Sequence, residues 1–581
     1  MDGHSGIDEP LIALESLRIA PFTANSSDLV CVLALVRHGD RTCKQKIQLK
    51  FHGKCPPEFP TNEDIRTSEM IALMRMYLSG DLRTSCKSEP SSIQNAISIL
   101  SSDKDDLKLK IEPMVHTVGW VLKLKWGGTL TPLGISQSRE CGREFSSFIP
   151  PSSSSVPVDI KAYSSTDTRC KETAAFFVDG LKEVYGYRSS IPIRSEDGPD
   201  GLGSLEDVPF RHSPRVERLR SEISALLMNG SAISEELKDD LFPSEDYHDT
   251  ELPGRTTLDS IASQYKSFSR AVSDLKVIID EFVSQLSHMC ATDSTHKLFL
   301  NETIGLAHAR WCHIAKNFQK SYGTGVRSAS ASPRSRWKSV EGGRTQSGAL
   351  FSSVQISLIG EIHDNSQYDF RHNFSHFSPA LATHLERIRT LSNLLAQVVT
   401  PCEHGLSLLD RTYIGASFLR PLLQKFRFDC RLSTGYPLGE EAVYVSKHDE
   451  TINDTATCRV RLYFAHHSHL ISLINLVRSL KTHFCSFAKF NIIDGIDLLG
   501  YTSRVVLRIY KHADEYTLVI AISKGDDFTS RDAVSFSTID VLEAHFPNRD
   551  HLDNFFTKWL SLAIPESSLG PIGESTSENL E

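Results

Sequence analysis

Residues 29–41 read LVCVLALVRHGDR, an unbroken apolar run that ends in two arginines around a histidine, a glycine and an aspartate. The run is rich in Val and Leu, which is how a strand buried on both faces reads, and it predicts a central strand of an α/β sheet. Directly behind it stands Arg37-His38-Gly39-Asp40-Arg41. Guanidinium forks match the paired oxygens of a phosphoryl group, and an imidazole serves as nucleophile or proton carrier. Gly39 lets the backbone turn tightly beside a ligand. A match of the form R-H-G-x-R arises by chance in roughly a few per thousand chains of this length. From Cys31 to Lys54 the basic residues are Arg37, Arg41, Lys44, Lys46, Lys50 and Lys54, against the single acid Asp40. A charge run is ordinarily a solvated face, but this one begins where an apolar strand stops.

Outward from that strand, residues 119–148 offer Thr131 as a helix cap and Pro132 for the first turn. Residues 159–184 give a short strand, a polar turn and a helix, so functional residues are expected at strand ends. The middle of the chain changes character. Leu258, Ile261, Tyr265, Phe268, Val272, Leu275, Ile279, Phe282 and Leu286 recur at steps of three or four, which predicts one long amphipathic helix. Leu381, Leu385, Ile388, Leu391, Leu395 and Val398 predict another, and both stripes are expected to be core. Strand-and-helix patterning returns near residue 452. The expected fold is therefore an α/β sheet flanked by helices, built from 29–200 and 451–560, with a large inserted helical domain at 201–450. Residues 1–28 are expected to form a tail. Segments 151–155, 323–347 and the tail from 566 to 581 are too rich in Ser, Gly and Pro to support a core and are expected to be disordered.

Composition narrows the class further. With 581 residues, 40% hydrophobic and 23% charged, the chain is neither collagen, nor a coiled-coil rod, nor wholly disordered. No stretch approaches the roughly 18 apolar residues of a spanning helix, and the acidic N-terminus is unlike a signal peptide. The cytosol is the expected location, with the nucleus as the alternative. A formal charge of −9 argues against a nucleic-acid partner. The 12 cysteines are scattered singly without a CxxC pair, so reduced thiols are expected rather than a disulfide framework or zinc ribbon.

The loop at 37–41 resembles that of the histidine acid phosphatase superfamily. RHGDRTCKQK at 37–46, LKWGGTLTPLG at 124–134, YSSTDTRCKETAAFF at 163–177, YDFRHN at 368–373 and LYFAHHSHLISLINLVR at 462–478 sharpen the likeness. Together, in the same order and over about residues 29–510, they resemble the phosphatase-like domain of the diphosphoinositol pentakisphosphate kinase family. The resemblance implies that His38 accepts the phosphoryl group as phosphohistidine. It implies that Arg37, Arg41 and Arg169 clamp its oxygens and that His469 completes the pocket. Three guanidinium groups can neutralise a transferring phosphoryl without a metal, so neither metal nor cofactor is expected. For attack, His38 must be neutral at the reacting nitrogen while its other nitrogen donates a hydrogen bond. The implied substrates are inositol polyphosphates or pyrophosphates, and Lys44, Lys46 and Lys125 are candidates for their remaining phosphates.

The departures from the family carry expectations of their own. Members that hydrolyse phosphate esters follow the distal histidine with an aspartate that protonates the leaving alcohol, whereas here the neighbour is Leu470. A phosphate leaving group, with a second pKa near 6, departs without that help, which favours phosphoanhydrides over monoesters. Cys43 stands where the family usually has Pro and is expected to loosen the loop. His466-His467 stand where it usually has Ser-Glu, which alters the local electrostatics. Relatives carry a kinase domain ahead of this one, and only about 28 residues stand there now, so kinase activity is not expected and a separate inositol phosphate kinase is the implied partner. Two other readings stay open: a phytase-like or general acid phosphatase, and a catalytically weak inositol-phosphate-binding module.

Overall fold

The structure is a computed structural model that describes residues 28–52, 67–79, 90–101, 107–114, 118–150, 156–185, 191–195, 227–228, 233–235, 238, 253–293, 296–323, 354–402, 408–434, 458–483, 489–490, 500–523, 525 and 538–561. Along the chain run β1 (Leu29–Arg37), β2 (Gln45–His52), α1 (Thr67–Ser79), α2 (Pro90–Leu100), β3 (Lys108–Pro113), β4 (Gly119–Trp126), α3 (Pro132–Phe145), β5 (Val158–Ser164), α4 (Thr168–Tyr185) and β6 (Ile193–Ser195). The α-helices described next are α5 (Pro253–Tyr265), α6 (Phe268–Thr292), α7 (Ile304–Gly323), α8 (Val354–His372), α9 (Pro379–Cys402) and α10 (Leu408–Thr434). Then come β7 (Cys458–Ala465), α11 (His467–His483), β8 (Lys489–Phe490), β9 (Arg504–His512), β10 (Glu515–Ser523), β11 (Thr538–Phe546) and α12 (Arg549–Ser561).

The fold is mixed α/β. Its main sheet has the order β6-β5-β7-β1-β9-β10-β11-β8. The β6, β5, β7 and β1 strands run parallel, and the other pairings are antiparallel. β1 is central, paired to β7 on one side and β9 on the other, and all nine of its residues are buried. Its side chains serve two cores. Cys31, Leu33 and Leu35 pack with Leu419, Leu422 and Phe426 of α10 and with α11 and α12, while Val32, Ala34 and Val36 pack with Cys141, Phe145 and Phe177 of α3 and α4. Each large aliphatic side chain so buried contributes about 1.5–3 kcal/mol. This two-sided burial is why the strand's sequence shows no alternation.

A third core belongs to α5–α9, with Phe282 edge-on to Trp311 and Phe377. The first apolar stripe forms two helices rather than the single one predicted. Lys266 adopts a left-handed φ of 67°, and Ser267 caps a new helix by accepting from the Arg270 amide at 3.2 Å. The cap satisfies a donor that an unbroken helix would not leave exposed, so the stripe continues across a bend. The second stripe lies within α9 as expected. α10, whose sequence falls within 201–450, packs on the main sheet rather than in this helical core. A fourth core joins the small sheet β2-β4-β3 to α1 and α2. Thr131 caps α3 with Pro132 in its first turn, as its sequence predicts. Residues 1–27, 151–155, 324–347 and 566–581, where tails and disorder are expected, lie outside the described residues, as do the interior boundaries near 200 and 450.

Candidate active site

Three parallel strands end side by side, with Ser164 opposite Phe464 and Arg37 opposite Ala465. The segments that leave them carry Arg169, then His466 and His469, then His38 to Arg41, so residues far apart in sequence meet at one sheet end. Backbone bonds hold the ends in place: Arg37 N to Ser503 O at 2.8 Å, His38 N to Ala465 O at 3.2 Å, and Thr502 N to His38 O at 3.3 Å. At Gly39 a Cβ would lie 2.6 Å from the Gly134 carbonyl oxygen, so only glycine lets the first turn of α3 close on the loop. The Gly39 amide donates to Thr173 Oγ1 at 3.0 Å.

His38 is 4% exposed. Its Nδ1 lies 2.9 Å from the Gly39 carbonyl oxygen. A carbonyl only accepts, so Nδ1 carries the proton and Nε2 holds the lone pair. Burial first, then the positive charges of Arg169, Arg37 and Arg41 and the nearby His466, push its pKa well below the ordinary 6.5. The imidazole is therefore neutral at neutral pH, which is the state that nucleophilic attack requires. The Arg37 guanidinium lies over the Tyr501 ring, 4.7 Å from its centre.

Arg169, in the first turn of α4, donates from Nη2 to His466 Nδ1 at 3.1 Å and pairs with Asp167. His466 therefore keeps its own proton on Nε2, 3.2 Å from Ser165 Oγ and 3.6 Å from Asp167. The His466 ring stands 5.8 Å from that of His38 and 5.9 Å from that of His469. His469 is fully buried in the first turn of α11, and Leu470 beside it packs into the main core. Lys44 approaches Asp167 at 3.4 Å. Burial raises the Asp167 carboxyl, but Arg169, Lys44 and His466 hold it below its ordinary value.

The other side of the pocket comes from α8 of the helical core. Arg41 donates to Asp364 at 3.1 Å. Asp40, turned the other way and buried, accepts from Thr131 Oγ1 at 2.5 Å, from Arg371 at 3.3 Å and from His372 Nε2 at 2.7 Å. Burial alone would raise the Asp40 carboxyl; the bond and charge of His372, with Arg371 and Thr131, leave it lowered. Cys43 is buried near Arg310, Asp369 and Glu302, and burial pushes its thiol up. Thr42 on one side of it is hydrogen-bonded to Thr129 and Gly128 across the ladder.

The structure thus brings together His38, Arg37, Arg41, Arg169 and His469, with Lys44 at the margin. Lys46 and Lys125 lie opposite each other on the small sheet, exposed. Sequence reasoning assigns no role to Asp167, Asp364 or Tyr501, and it treats His466 only as a departure. Position relative to strand ends could have placed Asp167 and His466 in the pocket. Nothing local marks Asp364, which reaches Arg41 from 323 residues away. Among the described residues, no group of three or more His, Cys, Asp or Glu is set to hold a metal ion, and no helix is long and apolar enough to cross a membrane.

The description of the histidine phosphatase superfamily (branch 2) matches residues 28–522. The human inositol hexakisphosphate and diphosphoinositol-pentakisphosphate kinase 2 is 24% identical over 86% of this chain and 41% of its own length. The corresponding kinase VIP1 of Arabidopsis thaliana is 25% identical over 77% of this chain and 45% of its own. This chain therefore spans less than half the length of these relatives. A solved phytase of Klebsiella sp. ASR1 aligns over 92% of this chain and 96% of its own at 12% identity, with a TM-score of 0.33.

Proposed function

The chain belongs to branch 2 of the histidine phosphatase superfamily, and from that premise we propose that it is an inositol pyrophosphate phosphatase working through phosphohistidine at His38. One observation carries the reading: a buried imidazole whose Nδ1–H is tied to Gly39, held neutral amid Arg37, Arg41 and Arg169. Nε2 attacks the β-phosphorus of a diphosphate group, the bridging P–O bond breaks, and its electron pair leaves on the inositol-bound phosphate. Water then hydrolyses the phosphohistidine to orthophosphate. The arginines neutralise the equatorial oxygens, the larger part of phosphoryl-transfer catalysis.

The substrate class follows from the leaving group and from the relatives. Leu470 faces the core and donates no proton, while Asp167 and Asp364 are each engaged by an arginine. Such a pocket favours a leaving group that needs no protonation, namely a phosphate. The kinases this chain resembles are named for inositol hexakisphosphate and diphosphoinositol pentakisphosphate, which supports an inositol-based anion. Purified protein of this sequence is to be given diphosphoinositol phosphates, phytate and p-nitrophenyl phosphate, with phosphate release measured beside a His38→Ala control. Release confined to the diphosphorylated compounds and lost in the control is the expected result. Equal release from p-nitrophenyl phosphate would remove the anhydride selectivity, and tight binding without any release would make the domain a binding module.

A further inference from the structure

The small sheet has two unlike faces. On one, Leu49, Phe51, Ile111, Trp120, Leu122 and Leu124 are buried among α1 and α2. On the other, strand register sets Lys46, Lys125 and Lys108 in one row, Gln48, Lys123 and Lys110 in the next, and Lys50, Val121 and Glu112 in the third. Among the described strand residues, six ammonium groups therefore share a face with one carboxylate. Glu112 is taken up by Lys123 and by Lys110 at 3.0 Å, and those two bonds draw its carboxyl down to about 2. Lys46, Lys125 and Lys108 make no ion pair among the described residues. Opposed residues in neighbouring strands stand about 4.5–5.5 Å apart, and like charges so placed repel. A bound polyanion would relieve that repulsion.

The row is continuous with the pocket. The β2–β4 ladder extends through Gly128 N to Thr42 O at 3.1 Å and Thr42 N to Thr129 O at 2.9 Å, up to a bridge between Arg41 and Leu130. At about 3.3 Å per residue the Lys46 row starts roughly 17 Å along the strand from Arg41. Between them, Lys44 reaches Asp167, the ion-pair partner of Arg169. The cations thus lie along a line that leaves the pocket past Arg169, whereas the phosphates of an inositol ring are gathered around one centre.

We propose that this face is a track for linear inorganic polyphosphate, which the protein shortens from its end. The terminal phosphoryl sits at His38 and the following phosphates run over Lys44, Lys46, Lys125 and Lys108. Nε2 of His38 bonds to the terminal phosphorus, the P–O bond to the penultimate phosphate breaks, and the electron pair stays on the shortened chain. Water releases orthophosphate from the phosphohistidine, and the proton passes to solvent. The turnover half of this proposal rests on the phosphohistidine reading, and the track does not. Among the described residues the face carries no exposed aromatic side chain for base stacking, and the chain is net negative, which disfavours a nucleic acid.

The test uses the whole chain of 581 residues, short-chain polyphosphate as probe, and the variants Lys108→Glu and Lys108→Arg. Fluorescence anisotropy is to give the affinity, and phosphate release the turnover. The expected result is about a tenfold loss of polyphosphate affinity and turnover in Lys108→Glu, rescue in Lys108→Arg, and diphosphoinositol turnover within about twofold of wild type. Unchanged polyphosphate binding in Lys108→Glu would overturn the track, as would equal affinity for single-stranded DNA or for phosphatidylserine vesicles. Release from diphosphoinositol phosphate with none from polyphosphate would overturn the inference and leave the proposed function standing. Release from neither, with Lys108-dependent binding intact, would sink the phosphohistidine reading and polyphosphate turnover together while the track survives.

Discussion

The two sides of the pocket are held by different forces. The floor, the ends of β5, β7 and β1, is fixed by backbone hydrogen bonds and two apolar cores, and its reactive groups arrive on short segments just beyond the strands. The roof, α8, is tied to the loop at 37–41 by charged side chains, through Asp364 to Arg41 and through Arg371 and His372 to Asp40. Chemistry placed on the floor survives changes in roof contacts, whereas the roof can be detached one side chain at a time.

The sharpest way to break this contrast is on the floor. His38→Ala is expected to lower phosphate release by at least about 10³-fold, with a smaller loss of stability because the ring's hydrogen bond is to the neighbouring Gly39, measured by turnover beside urea unfolding. Next comes the clamp. Asp40→Ala leaves Arg371 and His372 buried without their carboxylate and is expected to destabilise the protein by about 3–5 kcal/mol in the same urea assay. A loss under about 1 kcal/mol would mean that ion pairs are not what attaches the roof.

Acid should separate the two sides without a mutation. His38 is depressed in the folded state, so the unfolded chain gains its proton first and stability begins to fall as pH drops below 6.5. Asp40 is also depressed, and its contribution, full above the unfolded value of 3.8, is lost only as pH falls through the lower folded value. The acid limb of kcat/KM is expected well below 6.5; a limb at 6.5 would show His38 behaving as an exposed imidazole. The smallest effect is expected at Asp364. Removing its charge by Asp364→Asn frees Arg41 for anions and should tighten orthophosphate binding by about threefold to tenfold in calorimetry. Weaker binding would instead make Asp364 a positioning residue for the guanidinium.

The floor was the legible part of the molecule. An apolar run, a basic loop and a capped helix are local patterns, and β1, residues 37–41 and Thr131 follow from them. The break at Lys266 was harder, because the apolar stripe keeps its phase across it and only Ser267 marks the new start. The small sheet had a readable signal in QKIQLKFH, KLKIEP and GWVLKLKW, where lysine and apolar residues alternate at period two. The roof had none. Asp364 and His372 sit on a helix whose pattern records its own core, and their partners at Arg41 and Asp40 are fixed only by tertiary packing.

The position of β1 also sets a timetable for synthesis. This strand pairs with nothing near it in sequence; its neighbours are β7, beginning at Cys458, and β9, beginning at Arg504. At about 5–20 residues per second a ribosome needs roughly half a minute or more to deliver them. Throughout that interval LVCVLALV, whose side chains are wholly apolar, waits without either flanking strand. The segment that builds the reactive loop therefore stays unpaired through most of synthesis, the condition under which exposed apolar surface calls for a chaperone.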